Sequence, residues 1–214
     1  RSFMYKKILF CLDNSDCANT GVELGLRVAQ AMRSSMAGCH VYAARLHNDR
    51  FRQMEGGLPP QYQTEDGLKK QREVHDSLIT KGLKIISDSY AAPFIVKAQT
   101  LGLEASGVSR EGKNFEELVA EAADGDYDLV VLGAHGLGRV STSRVGSVCE
   151  RVVRRLRSDV LITREAAFED GPITVCVDGS PASFGGLMTA FSLASVFGRP
   201  VEAEQMPGGP EGET

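Results

Sequence analysis

No tryptophan occurs in the 214-residue chain. No apolar run approaches the roughly 20 residues that a membrane-spanning helix needs, so no membrane association is expected. The net charge of -4 disfavours nucleic-acid binding as the main activity. The five cysteines contain no C-x-x-C spacing, and we expect reduced thiols in a cytoplasmic protein rather than disulfides or a metal site. Together these absences point to an ordinary soluble globular protein.

Two common phosphate-binding motifs are also missing. The chain contains neither G-x-x-x-x-G-K-[ST] nor G-x-G-x-x-G, which excludes a P-loop and a dinucleotide-binding fingerprint of the usual kind. No nucleophile is visible with a paired base and an orienting group, so no catalytic residue is assigned. A lone histidine, His135, is interpreted as a loop residue with at most a ligand contact.

A different glycine-rich segment stands between two apolar runs near the end of the chain. The unbroken run Leu129–Leu132 predicts a strand buried on both faces, and Val160–Thr163 predicts another. Between them lie a loop with four glycines and a helical pattern that begins at Ser147. Such a loop favours phosphate binding, because glycine admits close backbone approach and helix amino ends carry free N–H groups. An ordinary serine cap after a flexible loop is the alternative interpretation.

The start of the chain offers a second candidate. A buried strand over Ile8–Leu12 is followed by Asp13-Asn14-Ser15 and by a helix over Cys17–Arg33. In open α/β sheets, ligands bind beyond the carboxyl ends of the strands, at the point where strand order reverses. A carboxylate there can accept hydrogen bonds from ribose hydroxyls or a base. Taken alone, Asp13 is better explained by capping of the following turn or helix.

The remaining segments alternate between strand and helix patterns, which predicts an α/β fold with a doubly wound parallel sheet. Leu46–Asp66 is predicted to be an irregular loop. Two helical pieces should follow, the second capped by Ser89 and stopped at Gly102. The other predicted elements are a strand over Cys39–Ala44, a strand over Leu103–Ser109 and a helix over Phe115–Ala123 capped by Asn114.

The spacing of the loop residues resembles the nucleotide loop of the universal stress protein family. Gly133 and Gly136 are three apart, and nine residues separate Gly136 from Gly146 and Ser147, matching G-x-x-G-nine-x-G-[S/T]. Asp13 matches that family's acidic turn, and Val41 the strand position whose backbone meets adenine. The resemblance implies a flavodoxin-like, Rossmann-like five-stranded sheet of order 3-2-1-4-5. It also implies a site formed by Leu12, Asp13, Ser15, Val41, Leu132, Gly133, His135, Gly136, Gly146, Ser147 and Val148.

The function expected from this resemblance is that of an ATP-binding stress-response or regulatory protein. AMP or ADP could replace ATP, and the resemblance leaves a role for Mg²⁺ open. Arg139 and Arg144 either reach a γ-phosphate or belong to a solvated loop face. A slow ATPase or autokinase, or an interaction module with an empty crevice, are the alternatives. Dimerisation through the strand Val160–Thr163, between chains or between tandem copies, is also expected.

A partial repeat follows the predicted domain. Residues 173–180, ITVCVDGS, match ILFCLDNS at the chain start, so Asp178 corresponds to Asp13 and Ser180 to Ser15. A helical pattern containing Leu187 and Phe191 comes next. We therefore expect a complete domain over 4–165, a β-α-β fragment over 172–205 whose apolar helix face is covered, and a polar tail over 206–214. Only the first domain should bind nucleotide.

Overall fold

A computed structural model describes residues 4–138, 145–165 and 171–206 of the chain. The chain divides into two compact units, one spanning Tyr5–Glu165 and the other comprising, in its described part, Met4 and residues 171–206. Among the helices of the described segments, none is both long enough and apolar enough to cross a membrane.

The first unit is built on a five-stranded parallel sheet, and the predicted strand order 3-2-1-4-5 is confirmed. Its central strands are short apolar runs that are buried on both faces, as expected for strands covered by helices on each side. The sheet contains β1 (Lys7–Cys11), β2 (Ser35–Tyr42), β3 (Ala105–Glu111), β4 (Leu129–Gly133) and β5 (Asp159–Thr163). As predicted, β5 lies at an edge, while pairing between chains there stays a prediction.

Five helices accompany this sheet. They are α1 (Asp16–Met32), α2 (Ala44–Met54), α3 (Glu65–Thr100), α4 (Asn114–Asp124) and α5 (Ser147–Val153). Among them, α2 packs on α3. On one face of the sheet, Phe94 of α3 packs on Phe10 of β1, with ring centroids 4.8 Å apart. On the other face, Leu118 of α4 and Val152 of α5 share a core with Leu9. Successive side chains of β1 therefore point to opposite faces of the sheet and pack in two separate cores.

The segment predicted as a loop over Leu46–Asp66 is instead largely helical. Helix α2 is followed by two short 3-10 turns, Glu55–Gly57 and Pro60–Tyr62. The composition of α2 is too polar for an apolar stripe to be visible in the sequence. The helix that α2 packs on, α3, is not adjacent to it in the chain. Phe51 of α2 stacks on His75 of α3 at 3.9 Å, so a contact between helices stabilises it.

The prediction of two helical pieces before β3 is also wrong, because α3 is a single helix of 36 residues. Ser89 does not cap a second helix, since its hydroxyl donates to the Ile86 carbonyl at 2.6 Å. Pro93 lies inside the helix, where it removes one backbone hydrogen bond. Burial of Ala91 and Phe94 on the sheet maintains the helix across that defect. Gly102, with φ of 71°, follows the helix end as predicted.

Smaller differences concern element boundaries. Strand β2 begins at Ser35 rather than Cys39, because the Ser35 N–H donates to Lys6 and pairing with β1 runs from that point. Lys113, not Asn114, occupies the cap position of α4, and no side chain caps that helix. Tertiary pairing and not local propensity sets these limits.

The second unit is a β-α-β fragment. It contains β6 (Ile173–Val177), α6 (Pro181–Phe197) and β7 (Val201–Gln205), and the two strands pair in parallel. On α6, Ala194 is buried whereas Phe191 is 54% exposed. A cover for this helix face, by the first domain or by a partner chain, stays a prediction. Most of the predicted tail, residues 207–214, lies outside the described residues.

Candidate functional site

A cavity of about 550 Å³ opens where β1 and β4 end, next to the point at which strand order reverses. Volumes of this size are typical of small-molecule sites. Two segments distant in sequence, the turn after β1 and the loop after β4, both contribute to its wall. Ten of the eleven predicted site residues line it: Leu12, Asp13, Val41, Leu132, Gly133, His135, Gly136, Gly146, Ser147 and Val148.

Asp13 begins a tight turn that leads into α1. Its Oδ1 accepts hydrogen bonds from the Ser15 N–H at 2.9 Å and from the Ser15 hydroxyl at 2.6 Å. Asn14 between them has φ of 58°, a conformation that asparagine tolerates. The Ser15 hydroxyl in turn caps α1 by accepting from the Ala18 N–H at 3.2 Å. One oxygen of Asp13 therefore shapes the turn, and the residue also lines the cavity. Its role as a ligand contact stays a prediction.

Ser15, the eleventh predicted residue, does not line the cavity but joins its two halves. Its hydroxyl oxygen lies 3.1 Å from the carbonyl oxygen of His135, in the loop after β4. The single hydroxyl proton is shared between that carbonyl and Asp13 Oδ1. A serine that is 6% exposed thereby holds the turn and the loop in contact.

Gly136 lies directly against the second oxygen of Asp13. A Cβ atom added at Gly136 would stand 2.7 Å from Asp13 Oδ2, which is closer than such contacts allow. The absence of a side chain is therefore required for the loop to approach the carboxylate. This contact is the tertiary reason for one glycine of the loop motif.

The other two motif glycines are also explained by close packing. A Cβ atom at Gly133 would lie 2.9 Å from the Ala18 nitrogen, so this glycine lets β4 approach the first turn of α1. Gly146 has a φ of -69°, which any residue can adopt, so the backbone angle does not call for glycine there. The Gly146 N–H donates to the Ala134 carbonyl at 2.7 Å, and an added Cβ would lie 3.0 Å from the same oxygen.

Helix α5 begins beside this contact. Gly146 occupies the cap position, and Ser147 is the first helical residue, which removes the alternative interpretation of Ser147 as an ordinary cap. The Gly146 N–H is already bonded to Ala134. The N–H groups nearest the cavity that have no intrahelical acceptor are therefore those of Ser147 and Val148.

Three buried thiols form part of the cavity floor. Cys11, Cys39 and Cys149 come from β1, β2 and α5, and all three are free. Burial, followed by the nearby Glu121 carboxylate, raises the pKa of Cys39 to about 12. Burial likewise raises the pKa of Cys11 well above its ordinary value. At neutral pH these side chains stay protonated and act as small apolar groups.

Sequence reasoning missed the residues that reach the cavity from the helices on the two faces. Tyr90 comes from the middle of α3, and Asn114 and Leu118 come from α4. No local motif marks these positions, since their role depends on how each helix crosses the sheet. His40 also lines the cavity, and its place beside Val41 at the carboxyl end of β2 is a signal that could have identified it.

A smaller cavity of about 430 Å³ lies between α1 and α3. It shares Leu12, Ala18 and Tyr90 with the larger one but contains none of the motif glycines. Among the described residues, no group of three or more His, Cys, Asp or Glu side chains could hold a metal ion. Arg139 and Arg144 lie outside the described residues. The motif glycines line the larger cavity, which is therefore the candidate site.

Comparison with known sequences agrees with this architecture. A family model described as the universal stress protein family matches residues 4–164. The universal stress protein MJ0577 of Methanocaldococcus jannaschii is 25% identical over 169 residues, which cover 76% of this chain and 97% of that protein. The universal stress protein Rv1996 of Mycobacterium tuberculosis is 24% identical over 192 residues. That alignment covers 88% of this chain but only 58% of the length of the mycobacterial protein.

Solved structures resemble the fold of the first unit. The structure of MJ0577 aligns with a TM-score of 0.60 at 19% identity, covering 78% of this chain and 99% of that one. The universal stress protein UspA from Lactobacillus plantarum aligns with a TM-score of 0.56 at 18% identity, covering 75% of this chain and 98% of that one. These similarities show a shared α/β fold.

Proposed function

This chain belongs to the universal stress protein family, and we propose that it is a nucleotide-binding regulatory protein of the stress response. The ligand is an adenine nucleotide, with ATP as the first candidate and AMP or ADP as substitutes. It occupies the cavity at the carboxyl ends of β1 and β4. Because the mycobacterial relatives are longer than this chain, the proposal concerns the first unit alone.

One observation carries this proposal, namely that the acidic turn and the glycine loop meet at a single cavity. Gly136 lies against Asp13 Oδ2, and Ser15 bonds the loop backbone at His135. Neither contact is needed to complete the sheet. A carboxylate oxygen beside backbone N–H groups offers an acceptor and donors in one crevice, which suits a ribose linked to phosphates.

Each part of the nucleotide has a candidate partner in the cavity wall. The phosphates approach the N–H groups of Ser147 and Val148, at the start of α5. Asp13 accepts from a ribose hydroxyl through Oδ2, since Oδ1 already serves the turn. The base lies toward Val41, at the carboxyl end of β2, over the apolar thiol floor.

Magnesium, where present, accompanies the phosphates. The described residues contain no cluster of three or more metal-ligating side chains, so they do not build a separate cage for the ion. Mg²⁺ commonly keeps several waters and is held largely by the phosphates of its nucleotide. The chain's own residues act on the nucleotide, and the ion screens the phosphate charge.

Calorimetric titration of the chain with ATP tests the proposal. Wild-type chain should bind ATP, and Gly146→Val should lose binding, because its Cβ would crowd the Ala134 carbonyl and shift the start of α5. Gly56→Val is the matched control, since a Cβ there meets nothing within 4 Å. Circular dichroism of both variants checks folding. ATP affinity that is equal in wild type and Gly146→Val would place the phosphates elsewhere.

A further inference from the structure

His40 lies next to Val41 and lines the proposed nucleotide cavity, although no motif marks it. We propose that its Nε2 accepts a hydrogen bond from a donor group of the bound nucleotide, and that a chain of hydroxyls holds the ring in the tautomer this requires. The inference rests on the proposed function and adds to it a residue that determines specificity. The donor on the ligand is either the exocyclic amine of adenine or a ribose hydroxyl.

The hydroxyl chain runs from His40 of β2 to α3, then to β3, and returns to α3. His40 Nδ1 lies 2.8 Å from Ser87 Oγ, and Ser87 Oγ lies 3.0 Å from Ser109 Oγ. Ser109 Oγ lies 2.7 Å from Asp88 Oδ1. Asp88 in turn forms an ion pair with Lys84 at 2.8 Å. Ser87 is fully buried, so this chain has no access to solvent at its centre.

The proton positions in this chain follow from donor counting. The carboxylate of Asp88 can only accept, because the hydrogen bonds from Lys84 and Ser109 lower its pKa. Ser109 therefore donates its one proton to Asp88 and accepts from Ser87. The Ser87 hydroxyl then directs its proton to Ser109 at 3.0 Å in preference to the His40 carbonyl at 3.4 Å, and Ser87 accepts from His40 Nδ1. The imidazole carries its proton on Nδ1, which leaves a lone pair on Nε2.

The ring is also fixed in orientation. It stacks on Tyr90 of α3 with centroids 4.0 Å apart and planes 3° from parallel. Within the described segments, the hydrogen bonds of the ring are all made by Nδ1. Because His40 and Tyr90 both line the cavity, Nε2 is the ring nitrogen available to a ligand.

Burial favours the neutral form of the His40 ring near physiological pH. Burial, the largest cause, lowers its pKa, and Asp13 beyond β1 opposes that shift. From α3, Asp88 and Lys84 form a mutually compensating pair. A neutral imidazole with a lone pair selects ligands that donate at this position and disfavours ligands that present an acceptor there.

The decisive variant is His40→Asn. The asparagine amide N–H reproduces Nδ1–H and keeps the bond to Ser87, whereas nothing reproduces Nε2. His75→Asn is the matched control. Like His40, His75 stacks on an aromatic ring, that of Phe51, and forms a hydrogen bond through Nδ1, with Asn48. His75 lines neither cavity. The ligands are ATP, purine riboside triphosphate, which lacks the exocyclic amine, and 2′-deoxy and 3′-deoxy ATP.

We expect His40→Asn to weaken ATP binding by roughly three- to tenfold, the range for one neutral hydrogen bond. His75→Asn should leave the affinity unchanged. The analogue that lacks the recognised donor should bind wild type and His40→Asn equally, which identifies the amine or a hydroxyl as the donor. His40→Gln should recover part of the loss, because its amide oxygen can occupy the place of Nε2.

Two outcomes overturn the inference while the proposed function stands. One is equal ATP affinity in wild type and His40→Asn, and the other is an equal loss for ATP and every analogue. Failure of the wild-type chain to bind any of these nucleotides defeats the proposed function, and this inference with it. Nitrogen-15 NMR of the His40 ring provides an independent readout. Wild type should show Nδ1–H, Ser87→Ala should show mixed tautomers, and a proton on Nε2 in wild type would refute the assignment.

Discussion

Asp13 and Asp178 begin the same turn in the two units of this chain. In each turn the carboxylate Oδ1 accepts from the N–H of the serine two residues later at 2.9 Å. In each, the hydroxyl of that serine caps a 17-residue helix by accepting a 3.2 Å hydrogen bond from the N–H three residues later. The two serines have nearly identical backbone angles. Gly179, with φ of 84°, stands where Asn14 stands in the first turn. The same short Asp-x-Ser segment therefore builds this geometry in both units.

The surroundings of the two turns differ. Strand β1 has neighbours on both sides, β2 and β4, whereas β6 pairs with β7 alone in the described part of the chain. Cys11 is buried and its counterpart Cys176 is exposed. The loop after β4 contacts the first turn through Gly136 and His135. The turn is therefore a local structure, whereas the candidate site needs contacts between segments that are distant in sequence.

The largest expected difference between the turns concerns ligand binding. Asp13→Ala should weaken ATP binding about ten- to hundredfold, because a hydrogen bond to a charged group contributes about 1.5–3 kcal/mol. Asp178→Ala should leave the affinity unchanged. Calorimetry of both variants measures the affinity and the number of sites.

The same titration tests whether the second turn also binds nucleotide. We expect one nucleotide per chain, because no segment of the second unit carries the glycine spacing of the first. Two equivalent sites per chain, or an equal loss in Asp13→Ala and Asp178→Ala, would mean that the turn alone is enough for binding.

A smaller difference is expected for a pair of helical glycines, Gly21 in α1 and Gly186 in α6. An alanine Cβ at Gly21 would lie 2.9 Å from Thr163 Oγ1 and 3.0 Å from Val131, so Gly21→Ala should destabilise α1 by about 1–3 kcal/mol. At Gly186 the nearest atom would be 3.9 Å away, and Gly186→Ala should stabilise α6 by about 0.5–1 kcal/mol.

Amide hydrogen exchange separates the two effects, because it reports each helix independently. Protection of α1 should fall in Gly21→Ala, and protection of α6 should rise in Gly186→Ala. Increased protection from exchange in both helices would show that α1 has room for a methyl group, contrary to its packing on β4 and β5.

The smallest expected effect is the titration of the second turn. The Ser180 hydroxyl, followed by the Ser180 N–H and the Ser183 hydroxyl, lowers the pKa of Asp178 to about 2. A lowered pKa in the folded state means that the turn is stabilised above the ordinary aspartate range and loses that contribution as the pH falls through about 2. NMR titration should show this, and Ser180→Ala should raise the pKa. An ordinary pKa in wild type would contradict the hydrogen bonds of this turn.

Sequence reasoning succeeded where a signal is local and strongly patterned. The short apolar runs predicted the strands of the sheet, and the resemblance implied their order, which the structure confirms. The glycine spacing and Asp13 indicated two ends of one crevice, and both line the same cavity. Their roles as ligand contacts stay predictions until a nucleotide is titrated.

The same reasoning failed where stability depends on a distant partner. The polar composition of α2 predicted a loop, yet its contacts with α3, including that of Phe51 with His75, make it a helix. Pro93 suggested a helix start, yet burial of Phe94 against Phe10 carries α3 past it. Propensity is a weak guide when tertiary packing contributes more free energy than a single residue does.

The apolar runs that form the strands, the turns at Asp13 and Asp178 and the spacing of the loop glycines can be read in the amino-acid sequence. An apolar run favours burial, and each turn depends on hydrogen bonds and steric limits within a few residues. The tertiary structure supplies the reason for the glycines, since Gly133, Gly136 and Gly146 each admit a backbone or a carboxylate that arrives from elsewhere. It also decided that His40 and Tyr90 reach the cavity. Such contacts join residues far apart in sequence, and a local pattern carries no information about them.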